Sequence, residues 1–292
     1  MMVRTHWNVL IVDDEPDVLA VSRLALKHVK VYGIPLKIHE CTNTADAIKY
    51  LKATSEFPDL SLAIIDVVME TQHAGLDICK FIREELQNRI TPIVVRTGQA
   101  GTAPEREVIE HYDISTYLSK VEATSEKLHA TAVNAVRNYE HARFCEGFLM
   151  YMGLFIPVCE THESTARGAP DILNALLSYR DGTPWEYYQC HFSLLYEREA
   201  LGFGKFVGKG DEARAMRDRL AKEPSQVINP RGDRFSRLGD EVLISVVGTD
   251  SAPPIDIVGE TNYHPMPDYT LRVFAIYAQC VRDLMILADK RR

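Results

Sequence analysis

Asp13 and Asp14 stand side by side at the end of the apolar run Asn8-Val9-Leu10-Ile11-Val12, and Glu15-Pro16 follow. Adjacent carboxylates repel each other unless a cation joins them. A hard divalent ion such as Mg²⁺ fits, because it prefers oxygen ligands and few carboxylates. Asp14 has a second reading, as the cap of a helix whose first turn takes Pro16. That reading leaves Asp13 without a role. Three more polar residues close apolar runs. Asp66 ends Leu62-Ala63-Ile64-Ile65, Thr97 ends Pro92-Ile93-Val94-Val95-Arg96, and Lys120 follows Ser115-Thr116-Tyr117-Leu118. A carboxylate nucleophile can accept a phosphoryl group and become an acyl phosphate. Mg²⁺ held by Asp13 or Asp14 and by Asp66 would offset charge on the phosphoryl oxygens. A hydroxyl and an ammonium, Thr97 and Lys120, would hold the remaining oxygens.

These residues need strands to carry them. The run before Asp13 is rich in Val, Ile and Leu, as expected of a strand buried on both faces. Val18, Leu19, Val21, Leu24, Leu26 and Val29 then recur at helical spacing to about Val31, where Gly33-Ile34-Pro35 breaks the pattern. Leu36–Cys41 reads as a strand, and Thr42 or Asn43 can cap a helix to about Ala53. Leu62–Asp66 is a strand. Gly75 opens a helix with Leu76, Ile78, Cys79, Ile82 and Leu86. Pro92–Thr97 and Ser115–Leu118 are strands, with a short helix near Glu105–His111 between them. Five strands alternating with helices predict an α/β domain with a doubly wound, five-stranded parallel sheet. Ligands of such sheets sit at the carboxyl ends of the strands, where all five residues lie.

Residues 6–140 resemble the receiver domain of two-component response regulators. The likeness rests on Val12-Asp13-Asp14-Glu15-Pro16, Asp66, Gly75, Thr97 and Lys120, with Tyr117 three residues before the lysine. It implies a flavodoxin-like fold and phosphorylation of Asp66 by a histidine kinase or phosphotransfer protein. It implies Mg²⁺ among Asp13, Asp14, Asp66 and the Val68 main-chain carbonyl. It also implies a switch in which Thr97 moves toward the phosphoryl group as Tyr117 changes rotamer. There are departures from the family pattern. Glu70 replaces a usual proline, Gly75 lies one residue late, and Val121 replaces the proline after the lysine. The stretches Val67–Asp77 and Arg96-Thr97-Gly98-Gln99 resemble a receiver subgroup. Its members are followed by a sensory-like domain, and some also by a cyclic-dinucleotide phosphodiesterase or a kinase.

From Thr124 to about Leu154 there is no proline, and Leu128, Ala132, Ala135, Val136, Tyr139, Ala142 and Leu149 keep roughly helical spacing. This predicts a receiver 1–123, its last helix running on as a connector 124–154, and a domain 155–292. Such a helix can carry a switch or pair with its copy in a homodimer. The last segment reads as a helix Asp171–Tyr179, strands Tyr187–Glu197 and Ala200–Val207, and a helix Glu212–Ala221. Strands at Val227-Ile228, Glu241–Val247 and Ile255–Val258 follow, then a long helix Tyr269–Ala288. That order predicts an α+β domain, faintly similar to GAF-like sensory domains.

Chemistry-bearing residues there are sparse. Cys159-x-x-His162, Cys190-His191 and His264 lack the spacing of a closed zinc site. Gly202-x-Gly204 with Lys205, Gly208, Lys209 and Gly210 matches neither phosphate-binding fingerprint and reads as a hairpin. Tyr187, Tyr188, Phe192, Phe203 and Phe206 read as core aromatics. No His-Asp phosphodiesterase pair, kinase motif or basic helix-turn-helix is present, so no enzymatic output is expected. The expected role is a phosphorylation-switched regulator whose second domain binds a downstream protein or small ligand. A receiver-gated enzyme and a phosphorylation-independent scaffold are the alternatives.

The chain of 292 residues carries a formal net charge of -8. Neither half is basic, which argues against a nucleic-acid partner. No apolar run reaches membrane-span length and the start lacks a signal-peptide pattern. Six scattered cysteines without Cys-x-x-Cys fit reduced thiols, and hence a cytoplasmic protein.

Overall fold

The computed structural model describes residues 5–53, 60–98, 112–121, 123–161, 191–196, 199–202, 209–250, 252–261, 265–266 and 268–290. The chain divides into two compact units, Arg4–Cys145 and Glu146–Arg292.

The first unit is built on the strands β1 (Trp7–Val12), β2 (Lys30–Val31), β3 (Ile34–Cys41), β4 (Leu60–Asp66), β5 (Ile93–Thr97) and β6 (Thr116–Ser119). Its helices are α1 (Pro16–Leu26), α2 (Thr44–Ala53), α3 (Ala74–Lys80) and α4 (Ser125–Thr161). The sheet order is β2-β3-β1-β4-β5-β6. β3, β1, β4, β5 and β6 pair in parallel. The expected five-stranded parallel sheet is therefore present, and a sixth, antiparallel strand extends it. β4 and β5 are buried along their whole length. Helices covering both faces of a parallel sheet require such unbroken apolar strands.

Two local expectations are corrected. The helix read as far as Val31 ends at Leu26. Lys30 and Val31 instead pair antiparallel with Pro35 and Ile34. Tyr32 and Gly33 both take positive φ, +51° and +79°, the backbone of a two-residue primed hairpin turn. Trp7 Nε1 donates to the Val31 carbonyl at 3.0 Å and fixes the hairpin to β1. The helix expected from Gly75 to Leu86 becomes α3 followed by a π-helical turn, Phe81–Glu85. That turn buries Arg83, whose guanidinium donates to the carbonyls of Asp113 and Asn88. The helix expected near Glu105–His111 lies outside the described residues.

α2 is capped as expected, with Asn43 Oδ1 accepting from Asp46 N at 2.9 Å. α4 lays Leu128, Ala132, Ala135, Val136 and Tyr139 into the core. The Tyr139 ring meets Trp7 edge-on at 6.5 Å between centroids. The division between the units falls inside α4, after Cys145.

The second unit holds β7 (His191–Tyr196), β8 (Glu199–Gly202), β9 (Ser225–Val227), β10 (Arg234–Leu238), β11 (Glu241–Val246) and β12 (Ile255–Glu260). With them come α5 (Gly210–Leu220) and α6 (Asp268–Lys290). The strands form one antiparallel sheet, β8-β7-β12-β11-β10-β9. Ala213, Met216 and Leu220 of α5 pack on Leu195, Leu243 and Val258. Strand alternation turns Val242, Ile244 and Ile257 to the opposite sheet face, and all three are buried. Leu271, Phe274, Ala275, Tyr277 and Ala278 of α6 are buried as well.

β10 was not expected. Its burial pattern shows only Ser236 fully inside, so it lacks apolar alternation and is held by ladders to β9 and β11. Arg231-Gly232-Asp233 forms the expected turn, with Gly232 at φ +90°. The helix expected at Asp171–Tyr179 lies outside the described residues, as do Tyr187, Tyr188, Phe203, Phe206, His162, Cys190, His264, Gly204, Lys205 and Gly208.

Candidate functional site

The carboxyl edge of the parallel sheet gathers most of the residues singled out from the sequence. β1 delivers Asp13, fully buried, while Asp14 and Glu15 remain exposed. Asp14 does not cap α1. The cap position falls on Glu15 and has no side-chain hydrogen bond, with Pro16 beginning the helix. Asp13 takes over part of that task, since its Oδ1 accepts from Glu15 N at 3.1 Å. Ligand atoms of Asp13, Asp14 and Glu15 lie within 4.8 Å of one another.

β4 delivers Asp66, 2% exposed. Its Oδ2 receives Lys120 Nζ at 2.9 Å, while its Oδ1 is buried with no hydrogen-bond partner. An uncompensated buried carboxylate oxygen is costly. Gly75 makes the close approach behind it possible. A Cβ at Gly75 would lie 1.8 Å from the Asp66 carbonyl oxygen. Gly75 N also donates to Val67 O at 3.1 Å.

Thr97 is buried at the end of β5. Its carbonyl accepts Lys120 N at 2.7 Å, which sets where the lysine leaves β6. The Lys120 ammonium bridges three carboxylates: Glu15 at 2.7 Å, Asp66 at 2.9 Å and Asp13 at 3.4 Å. Val68 and Tyr117 pack, partly buried, against the hydrophobic core of this unit.

The protonation balance follows from these contacts. Burial raises the Asp66 carboxyl above its ordinary value, and the Asp13 charge adds to that, against the opposing pull of Lys120 and Arg96. Burial pulls the Lys120 ammonium down, but its bonds to Glu15 and Asp66 and the Asp13 charge outweigh this and leave it raised. Lys120 therefore stays charged. Glu15 is lowered by its hydrogen bond to Lys120.

Two residues escaped the sequence reading. Glu15, quoted there only within its motif, joins the acidic cluster and pairs with Lys120. Arg96, 2% exposed, donates to Asp13 Oδ2 at 3.1 Å and to Ser22 Oγ at 2.7 Å. The signal for Arg96 was its place inside an apolar strand, since a buried guanidinium demands a partner. In the second unit, the Cys159 side chain and residues 203–208 of the glycine-rich turn lie outside what the structure describes.

A five-stranded parallel sheet with acids at the carboxyl ends of β1 and β4 and a lysine after β6 defines a flavodoxin-like α/β domain. Residues 9–132 match the response regulator receiver domain, so this stretch of the chain is a receiver domain. The stretch is also 45% identical over 133 residues to the 3'3'-cGAMP-specific phosphodiesterase 2 of Vibrio cholerae, covering 46% of this chain and 25% of that protein. This chain thus spans a quarter of that relative's length. Among solved structures, it is similar to a signal receiver domain of an HD domain-containing protein from Pseudomonas fluorescens Pf-5. That match has 20% identity and TM-score 0.39, and covers 49% of this chain and 96% of that one. Another is the phosphorylated cyanobacterial phytochrome response regulator RcpA, at 17% identity and TM-score 0.35, covering 44% and 90%.

The expectation of a chain with no enzymatic output is overturned by the Vibrio relative, which shares this receiver stretch and is an enzyme. That expectation rested on missing short motifs. Catalytic groups assembled from distant segments leave no such motif. No helix among the described residues is long and apolar enough to cross a membrane.

Proposed function

We propose that the chain is a phosphorylation-switched regulator in which Asp66 is the acceptor, charged by a histidine kinase or phosphotransfer protein. The observation that carries this reading is Asp66 itself: buried, raised in pKa, bonded to Lys120 through one oxygen and unpartnered at the other. A carboxylate oxygen attacks phosphorus as the bond to the donor's imidazole nitrogen breaks, and the imidazole leaves with the bonding electrons. Asp13, Asp14, Asp66 and the Val68 carbonyl would hold Mg²⁺, which supplies neutralising charge when bound. The donor chemistry supports this, since Asp13 and Asp14 belong with Glu15 to a group whose ligand atoms lie within 4.8 Å of one another, and Asp66 Oδ1 is buried without a partner. Lys120, already 2.9 Å from Asp66, pairs with a phosphoryl oxygen. The Thr97 hydroxyl takes another, and Tyr117 follows it as the switch.

The domain limits we propose are a receiver 1–123, a connecting helix 124–154 and a GAF-like domain 155–292 in a cytoplasmic protein. The antiparallel six-stranded sheet and closing helix of the second unit support the GAF-like assignment. Its output would be interactions with a downstream protein or small ligand, and a homodimer through the connecting helix is part of this reading. A cyclic-dinucleotide phosphodiesterase as the controlled activity is the second reading, favoured by the Vibrio relative. Chromatography of 3'3'-cGAMP incubated with the full chain, with and without beryllofluoride, tests it. Unchanged substrate in both cases would remove hydrolysis by this chain.

The acceptor is tested by intact mass after incubation with acetyl phosphate and Mg²⁺. One phosphoryl adduct on the wild type, lost in Asp66→Ala, is expected. An adduct that persists in Asp66→Ala would overturn the assignment.

A further inference from the structure

Arg96 is the one charge in a strand that is otherwise apolar up to Thr97, and it has no part in the acceptor chemistry above. Its carbonyl holds the chain just after the acceptor, accepting Val67 N at 2.9 Å. Its guanidinium reaches the other way. Nη2 donates to Asp13 Oδ2 at 3.1 Å and Nη1 to Ser22 Oγ at 2.7 Å. Ser22, itself buried, is fixed to α1 by donating to Val18 O at 2.7 Å. Arg96 Nε is buried without a partner. Burial lowers the guanidinium's pKa, and the charges of Asp13, Asp66 and Glu15 oppose that.

Asp13 is thereby fully engaged. Oδ1 accepts Glu15 N, and Oδ2 accepts from Arg96 and faces Lys120. Among the described residues, four carboxylates, those of Asp13, Asp14, Glu15 and Asp66, stand against two cations, Lys120 and Arg96. The formal excess of two negative charges equals the charge of one divalent ion.

We propose that Arg96 is a positioning residue of the acceptor site: it holds Asp13 in a cation-paired state and thereby sets how tightly the pocket takes Mg²⁺. The proposal rests on the acceptor reading for its meaning. Its physics stands apart from phosphoryl transfer. A guanidinium on Asp13 Oδ2 competes with any metal for that oxygen and repels it. Because Ser22 anchors the same guanidinium, its exchange for a metal is felt at α1.

Calorimetric titration of the full chain with MgCl₂, without any phosphoryl donor, tests this. Replacing the guanidinium in Arg96→Met frees Asp13 and removes one positive charge. Mg²⁺ should then bind about tenfold or more tightly, the scale of a unit charge acting at contact range in a partly buried site. Arg96→Lys, which keeps the charge, should stay close to wild type. A merely structural role predicts the opposite sign, since a disordered Asp13 would bind metal worse. Equal or weaker binding by a folded Arg96→Met protein, checked by circular dichroism, would overturn the proposal. Should that variant not fold, Arg96→Gln keeps a donor for Ser22, and the same comparison applies to it. A wild type that takes no acetyl-phosphate adduct, together with a variant that binds Mg²⁺ more tightly, would sink the acceptor reading and leave this one standing.

Discussion

Gly75→Ala gives the sharpest measure of how the fold supports the acceptor. A Cβ there would sit 1.8 Å from the Asp66 carbonyl oxygen, 2.7 Å from its carbonyl carbon and 2.9 Å from Val67 Cα. All three are backbone atoms, so no side chain can rotate away. Ordinary contact begins near 3.4 Å, so the first turn of α3 and the end of β4 must part by about 1.6 Å. Two consequences follow. The Gly75 N to Val67 O bond, now 3.1 Å, breaks. The Asp66 carboxylate leaves its 2.9 Å contact with Lys120. Overpacking against backbone of this severity costs about 3 kcal/mol. Urea denaturation of the full chain, followed by the fluorescence of Trp7 and Trp185, reads the stability. The acetyl-phosphate adduct, followed by intact mass, reads the acceptor. Both should fall together, the adduct by at least about tenfold at equal time if the misplaced carboxylate costs 1.4 kcal/mol in the barrier. A stable Gly75→Ala protein, within about 0.5 kcal/mol of wild type and phosphorylated at the wild-type rate, would refute the close approach.

Two further outcomes are expected. Burial raises the Asp66 carboxyl above 3.8, so the folded state holds that proton more tightly than the unfolded one. Ionised Asp66 therefore costs stability, a cost that sets in as pH rises through the unfolded value and is complete above the folded one. Asp66→Asn should raise the melting temperature at pH 7, and the gain should vanish below pH 3.8. A lower melting temperature at pH 7 would contradict this. In the second unit, Asp233 is fully buried and accepts from Val247 N at 2.9 Å and Asn229 Nδ2 at 2.7 Å. Asp233→Ala orphans both donors and should cost about 2–3 kcal/mol. Faster amide exchange at Val247 would show it, and unchanged exchange would refute it.

The parallel sheet was legible because its strands announce themselves locally. Leu62–Asp66 and Ile93–Thr97 are unbroken apolar runs, and only strands covered on both faces read that way. The strand-end placement of Asp13, Asp14, Asp66, Thr97 and Lys120 was legible for a related reason, since each closes such a strand. What the sequence hid was of two kinds. The Lys30–Ile34 hairpin and β10 are held by backbone ladders and a turn with positive φ, which side-chain periodicity does not encode. The Arg96–Asp13 and Lys120–Glu15 pairs join residues 83 and 105 positions apart. Their meeting depends on β1, β4, β5 and β6 lying side by side in register. The sequence by itself determined that charged and hydroxyl groups would end the strands. Which of them touch, and that a guanidinium rather than open space faces Asp13, was decided by tertiary structure, because Coulomb and hydrogen-bond energies fall steeply with distances that only the packed sheet sets.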